Sequence, residues 1–481
     1  VNEIRYHAAS RQLHASTWSR MMSRKTKRVS SRKSRRDFLA ASTALGLSFT
    51  IVPRHVLGGP AQTPPSERIN VAGIGCGGMG GGDIATVSKL GANMVALCDV
   101  DEARAAGTFA AHPNARRYKD FREMLDKEAK NIDAVTVGTP DHIHAVASMA
   151  AIRAGKHVYC QKPLTHTLLE CRELTKAAKQ AKVMTSMGNQ GHASEGSRLT
   201  NEWITAGVIG EVREVHCWSD RAGRLWKQGI GRPTETPSVP PTFDWNLWLG
   251  PMAERPYHPA YAPFGWRGWW DFGTGAIGDM GCHIIDHPVW ALKLGTPTSV
   301  EARVTHDGTL LPDNKLNFET FPIAAIIYYE FPARGDLPPV RMTWYDGGLM
   351  PPAPPELPAG QKLPDNGVLY VGSKGKMYHS SHGGMPQLLP GELHEAAMTV
   401  PKTMERSPGH YEEWVNACKG GKQPAAGFDY SGPMTETALL GVLALRSPGT
   451  KLLWDSEKLK VTNVPEVNQY VHTEYRKGWT L

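Results

Sequence analysis

The stretch from Ile69 to Gly80, INVAGIGCGGMG, is a short apolar run that empties into clustered glycines at the start of a helical pattern. Gly75, Gly77 and Gly80 fit G-x-G-x-x-G, with Gly78 and Met79 inside the turn. Each glycine has its own task in a dinucleotide-binding turn. Gly75 bends the chain, Gly77 lets the backbone approach a pyrophosphate, and Gly80 lets the helix pack closely on the strand. The helix N-terminus adds unpaired N–H groups and a positive dipole end, which hold an anion without a basic side chain. A second apolar run, Met94 to Cys98, ends in Asp99, 19 residues beyond Gly80, where this fingerprint expects a carboxylate for the adenosine ribose. A carboxylate there accepts from both ribose hydroxyls and repels a 2′-phosphate, so the expected cofactor is NAD in preference to NADP. Asp99 could instead cap the helix that follows it.

The pattern continues as alternating strands and helices. Strands are predicted at Ile69–Ile74, Met94–Cys98, Ile132–Val137, His157–Cys160 and Val183–Met187. The helices between them are predicted at Met79–Leu90, Asp101–Ala110, near Phe121–Lys127, and at Asp141–Ala154 and His166–Ala181. Short apolar strands interleaved with helices demand a parallel sheet with right-handed crossovers, a Rossmann doubly wound domain over residues 66–190. Beyond Gly188 a helix at Glu195–Ala206 leads into β-rich segments at Val212–Trp218, Ser299–His306, Ala324–Phe331, Val340–Tyr345 and Val368–Val371. Hairpin-type turns such as Ser373-Lys374-Gly375 fit an open, mainly antiparallel sheet in a C-terminal α/β domain over residues 191–481, expected to carry substrate and oligomer contacts. The proline-rich run Pro351–Pro364 reads as a surface excursion.

The net charge of +8 is concentrated at one end. Residues 1 to 60 hold 12 Lys and Arg against Glu3 and Asp37, which leaves 42 Lys and Arg against 44 Asp and Glu in the rest. A basic leader on a nearly neutral body argues for an address label and against a nucleic-acid partner. Ser34-Arg35-Arg36-Asp37-Phe38-Leu39 followed by the mildly apolar Ala40–Val52 has the layout of a twin-arginine export signal, implying a periplasmic or extracytoplasmic location, or a membrane tether if the signal stays uncleaved. That apolar run is too short for a stable membrane span. Met21 and Met22, just upstream of the signal, suggest that translation starts there and not at Val1. The seven cysteines show no C-x-x-C spacing and read as buried thiols, without a disulfide framework or zinc site.

Four further segments bear on chemistry. Thr139-Pro140-Asp141-His142-Ile143-His144 follows a strand end, so its backbone, with Thr139, Pro140 and His144, is expected at the nicotinamide side of a cofactor. His142 and His144 could equally be ordinary helix N-terminal residues. Gln161-Lys162-Pro163 ends the next strand, so Gln161 and Lys162 are also expected beside the cofactor, and Lys162 at that edge can hydrogen-bond a substrate hydroxyl and stabilise a developing alkoxide. Asp279 and His283 share a face of a helix predicted to start near Ala276, where an imidazole can take a hydroxyl proton and a carboxylate can orient it. His287 extends that face, but no further ligand cluster accompanies it and no metal site is expected. Residues 243–272 hold ten aromatics, which suit stacking on sugar rings or, alternatively, an aromatic mini-core or subunit contact.

In order and spacing, the glycine turn, the Thr-Pro-Asp-His-Ile-His-Ala segment, the Lys-Pro turn and Asp-Met-Gly-Cys-His resemble the Gfo/Idh/MocA family, the glucose-fructose oxidoreductase and inositol dehydrogenase group. The likeness runs from Arg68 to the C-terminus. It implies an N-terminal Rossmann domain, a C-terminal α/β domain whose open sheet often forms dimer or tetramer contacts, and NAD(P)-dependent oxidation or reduction of sugars and cyclitols. By that resemblance Lys162, Asp279 and His283 fall on the three polar catalytic positions, with His283 as the acid/base. One departure stands out: the family usually has Glu before the Lys-Pro pair, and this chain has Gln161. The tail from Phe428 to Trp479 looks like exported, sugar-related members of environmental bacteria. The resemblance leaves two chemistries open, a dehydrogenase and a glycosidase that oxidises its substrate transiently and recycles its NAD. A third reading is a binding or scaffold protein that keeps only the fold.

Overall fold

The computed structural model describes residues 68–305 and 319–481, so the basic leader and its expected export signal lie outside the described residues. The first half alternates β1 (Asn70–Ile74), α1 (Gly78–Lys89), β2 (Asn93–Cys98), α2 (Glu102–Ala111), β3 (Arg116–Tyr118), α3 (Phe121–Glu128), β4 (Ala134–Val137), α4 (Asp141–Arg153), β5 (His157–Cys160), α5 (Leu168–Ala181) and β6 (Thr185–Met187). The six strands form one sheet in the order β3-β2-β1-β4-β5-β6, every neighbouring pair parallel. This is the Rossmann order, and its ligand crevice lies outside the carboxyl ends of β1 and β4. The central strands are apolar because helices cover both faces: all four residues of β4 are buried. Thr167 and Glu170 close a reciprocal capping box on α5.

The second half holds α6 (Glu195–Thr205), β7 (Val212–Trp218), α7 (Trp245–Leu249), α8 (Gly275–Ile284), α9 (Asp286–Ala291), β8 (Ser299–Thr305), β9 (Ala324–Phe331) and β10 (Val340–Tyr345). It continues with β11 (Gly367–Gly372), β12 (Lys376–Ser380), β13 (Gln387–Leu389), α10 (Leu393–Met398), α11 (His410–Cys418), α12 (Phe428–Ala444), β14 (Leu452–Asp455) and β15 (Lys460–Val461). Its nine-stranded sheet runs β13-β12-β11-β7-β10-β9-β8-β14-β15. Only the β7–β10 pair is parallel; the others are antiparallel. Ser373-Lys374-Gly375 joins β11 to β12 as the hairpin expected there.

The structure adds elements that periodicity did not reveal, among them β3 and everything from β12 onward. His306, expected at the end of β8, lies outside the described residues. Residues 351–364 form neither helix nor strand. Two C-terminal helices return to the first half, α11 against α1 and α12 against α5, and α12 also packs on α8 of its own half. The Met187 and Phe428 N–H groups donate across this seam, to Ala426 O at 2.9 Å and Thr185 Oγ1 at 3.0 Å. All seven cysteines are free, six of them buried. Among the described residues no helix is long and apolar enough to cross a membrane.

Candidate functional site

The glycine turn stands at the carboxyl edge of β1. Gly75 has φ 82°, the left-handed region that glycine enters without strain, and a Cβ there would lie 2.6 Å from Gly138 O. A Cβ at Gly80 would overlap the Gly75 carbonyl, so this glycine sets how closely α1 approaches the sheet. Gly77, at the N-cap of α1, offers no side-chain cap, which leaves first-turn N–H groups for an anion. Gly77 differs from expectation in one respect: its open face is covered by the stem of Arg104, whose Cγ lies 2.5 Å from where a Cβ would be.

Asp99 braces this turn. Its Oδ2 accepts the Cys76 N–H at 2.7 Å and its Oδ1 the Asp101 N–H at 2.9 Å. The cap of α2 is Asp101, which accepts from Arg104 N at 3.1 Å, so the capping alternative for Asp99 falls away. Burial raises the Asp99 pKa against the pull of these N–H donors.

At the other end, residues from four distant segments converge. Lys162 Nζ, beyond β5, donates to Asp279 Oδ1 and to the Asp279 backbone oxygen, both at 2.7 Å. Arg267 Nε donates to the same Oδ1 at 3.1 Å, and Arg221 Nη1 stands 3.7 Å from Oδ2. Burial alone would raise the Asp279 pKa, but Lys162 and Arg267 outweigh it and hold the carboxyl well below the usual range. One turn on along α8, His283 is buried and its Nδ1 makes no hydrogen bond. Burial, then Lys162 and His382, push its pKa well below the ordinary imidazole value, so the ring is neutral at neutral pH. The His382 ring stacks on His283 with centroids 3.9 Å apart, and the His382 N–H donates to His283 O at 3.2 Å. His382 sits at φ 60°, a strained region for a non-glycine residue, and Gly383 N–H anchors the loop by donating to His287 Nε2 at 3.0 Å.

One cavity of about 420 Å³ joins the two ends. Gly75, Gly77, Gly78, Met79, Asp99, Thr139, Pro140, Gln161, Lys162, Asp279 and His283 all line it. Gly80 and His144 do not. Gly80 lies behind the turn, and each His144 ring nitrogen faces a backbone carbonyl, Pro163 O at 2.7 Å and Thr139 O at 2.9 Å. His144 is therefore a clamp that ties the lysine-proline turn to the Thr139 turn. His142 is likewise held between Phe272 O and Trp248 O. Arg104, Arg221, Arg267 and His382 line the cavity without having been singled out in the sequence, because they come from loops and a helix start that carry no motif. The Gly-Gly pair after His382 was the one available signal.

Most aromatics of residues 243–272 form a separate core. Trp245, Tyr261, Trp269 and Phe272 are buried together, whereas Phe243, Trp248, Phe264 and Trp266 also line the cavity, Phe264 with 42% of its surface exposed. No group of three or more His, Cys, Asp or Glu is arranged to hold a metal ion among the described residues. Asp279 faces cations, and His287 faces Ser197 and Gly383. A left-handed glycine turn, uncapped helix N–H groups and a braced carboxylate on one cavity wall fit a dinucleotide.

Comparison with known proteins agrees with this geometry. Residues 69–189 match the Gfo/Idh/MocA oxidoreductase family model described as an NAD-binding Rossmann fold, and residues 198–309 match that family's C-terminal α/β domain. Inositol 2-dehydrogenase 2 of Saccharopolyspora erythraea is 39% identical over 111 residues, 23% of this chain and 32% of that protein. Inositol 2-dehydrogenase of Serratia proteamaculans is 31% identical over 153 residues, 31% of this chain and 45% of that protein. The chain thus spans less than half the length of either relative. The WlbA dehydrogenase of Bordetella pertussis, solved with NADH and UDP-GlcNAcA, superposes with TM-score 0.56 at 18% identity, over 81% of this chain and 99% of that one. The chain has the Gfo/Idh/MocA oxidoreductase fold, a Rossmann domain joined to an open-sheet α/β domain.

Proposed function

We propose that the protein is an NAD-dependent oxidoreductase acting on a CH–OH group of a sugar, cyclitol or related carbohydrate, with His283 as acid/base and Lys162 stabilising the alkoxide. The observation that carries this reading is the 2.7 Å contact of Lys162 with Asp279, on one wall of a cavity whose far end is Asp99 and the glycine turn. When bound, NAD supplies a hydride acceptor. The neutral His283 ring can take the hydroxyl proton, and the Lys162 ammonium can donate a hydrogen bond to the oxygen as charge develops. Asp279, kept ionised by its cations, fixes Lys162 in place. The Arg35-Arg36 pattern supports export of the folded chain with its dinucleotide already held, since no NAD pool exists outside the cell.

One observation favours the recycling glycosidase as a second reading: His382, stacked on His283, places a second imidazole in the same cavity. A reaction that removes both a hydroxyl proton and a carbon-bound proton can use two such acceptors. A panel of sugars and glycosides, followed for net NADH and for released aglycone, tests both. Net NADH with a free sugar or cyclitol supports the dehydrogenase, aglycone release without net NADH selects the glycosidase, and neither product contradicts both.

A further inference from the structure

The substrate end of the cavity has more cations than its own carboxylates can neutralise. Lys162, Arg267 and Arg221 converge on the single carboxylate of Asp279. The other acids nearby are engaged elsewhere. Asp220 pairs with Arg224 at 2.6 Å and accepts from Asn366 Nδ2 at 2.9 Å, and Asp271 pairs with Arg255. Asp141 is buried, accepts from Thr274 Oγ1 at 2.6 Å, and is pushed up to about 7 by its burial. His283 and His382, both lowered chiefly by burial, add no charge at neutral pH.

The two arginines are presented differently. Arg267 is held by Asp279 through Nε and by Phe264 O through Nη1 at 3.3 Å, and it packs 4.4 Å from the Phe264 ring centroid and 4.1 Å from that of Trp266. Its Nη2 makes no hydrogen bond among the described residues. The Arg221 side chain makes no hydrogen bond among the described residues, and its Nη1 stands 3.7 Å from Asp279 Oδ2. A guanidinium that lines a cavity with its donor fork unused matches the planar, bidentate recognition of a carboxylate or phosphate. Beside it, the exposed Phe264 ring offers an apolar face of the kind sugar rings stack on.

We infer that the substrate is an anionic carbohydrate, whose carboxylate or phosphate binds Arg221 and the free edge of Arg267 while its ring lies against Phe264. This rests on the carbohydrate reading above and narrows it. Neutral sugars leave Arg221 unpaired, so they bind more weakly than anionic ones of the same stereochemistry.

The test is thermal melting of the full chain, with and without NAD, at matched ionic strength. The ligands are D-glucuronate, D-galacturonate, D-gluconate and D-glucose 6-phosphate, beside D-glucose and D-galactose, with acetate and inorganic phosphate as sugar-free controls. At least one anionic sugar should stabilise the protein with an apparent Kd about tenfold or more below that of its neutral counterpart, a difference of about 1.4 kcal/mol. Carboxylate and phosphate members tell the two anion sources apart. Arg221→Gln should erase the preference, and Arg221→Lys should keep part of it, because the charge remains without the fork. Neutral sugars that match or exceed every anionic one overturn the inference, as does a preference unchanged in Arg221→Gln and Arg267→Gln, or one that acetate or phosphate alone reproduces. A missing NAD shift would count against the cofactor reading. An NAD shift without anion preference would count against this inference alone.

Discussion

Gln161 Nε2 donates to both carboxylate oxygens of Asp83, at 3.0 and 2.9 Å, and Tyr411 OH donates to Asp83 Oδ1 at 2.7 Å. The departure from the family's usual Glu before Lys-Pro thus has a local reason. The carboxylate stands on α1, and the amide at position 161 is its hydrogen-bond donor. A Glu at 161 would set two buried carboxylates against each other. The same amide packs against Gly188, where a Cβ would lie 2.6 Å from Gln161 Oε1.

Gln161→Glu is therefore expected to destabilise the protein, and Asp83→Asn in the same chain to restore much of the loss, with a coupling of about 0.5–3 kcal/mol in a double-mutant cycle of chemical melts. Burial pushes Asp83 up to about 7 from 3.8. Because the folded chain holds that proton more tightly than the unfolded chain, this group's contribution makes stability fall as pH rises from about 4 to about 7. Asp83→Asn should flatten that part of the profile, and an unchanged slope would contradict the assignment.

Asp99→Asn keeps a side-chain oxygen for the Cys76 N–H and removes the charge that repels a 2′-phosphate. Fluorescence titrations should show NAD binding weakened about tenfold and the preference over NADP reduced. Equal affinities of wild type and variant for both dinucleotides would place the ribose elsewhere.

Lys162→Ala and His283→Ala should each lower turnover on an identified substrate by about 100-fold or more. NAD affinity should fall far less, because the glycine turn and Asp99 stand at the other end of the cavity. Steady-state rates close to wild type in either variant would remove that residue from the chemistry.

The Rossmann half was legible because its strands are short apolar runs bounded by glycine, proline and aspartate, each followed by a helix. β3 was not, since Arg116-Arg117-Tyr118 is a polar edge strand without an apolar run. Helix α12 was hidden for the opposite reason: it is buried on nearly every side, so it shows no amphipathic period, and Pro433 interrupts its pattern. In the site, Lys162, Asp279 and His283 were readable from motif and helix spacing. Arg221, Arg267 and His382 were not, because tertiary packing alone aims loop residues at Asp279 and His283. His144 shows the converse, a motif residue whose ring is spent on two backbone carbonyls.

The proposed chemistry requires a dinucleotide lying between Asp99 and Lys162. Calorimetric titration of NAD into the purified protein, freed first of any nucleotide it carries, measures this directly. One NAD per chain, bound in the micromolar range or tighter and weakened by Asp99→Asn, is the predicted result. No binding heat and no rise in Tm at millimolar NAD would contradict it.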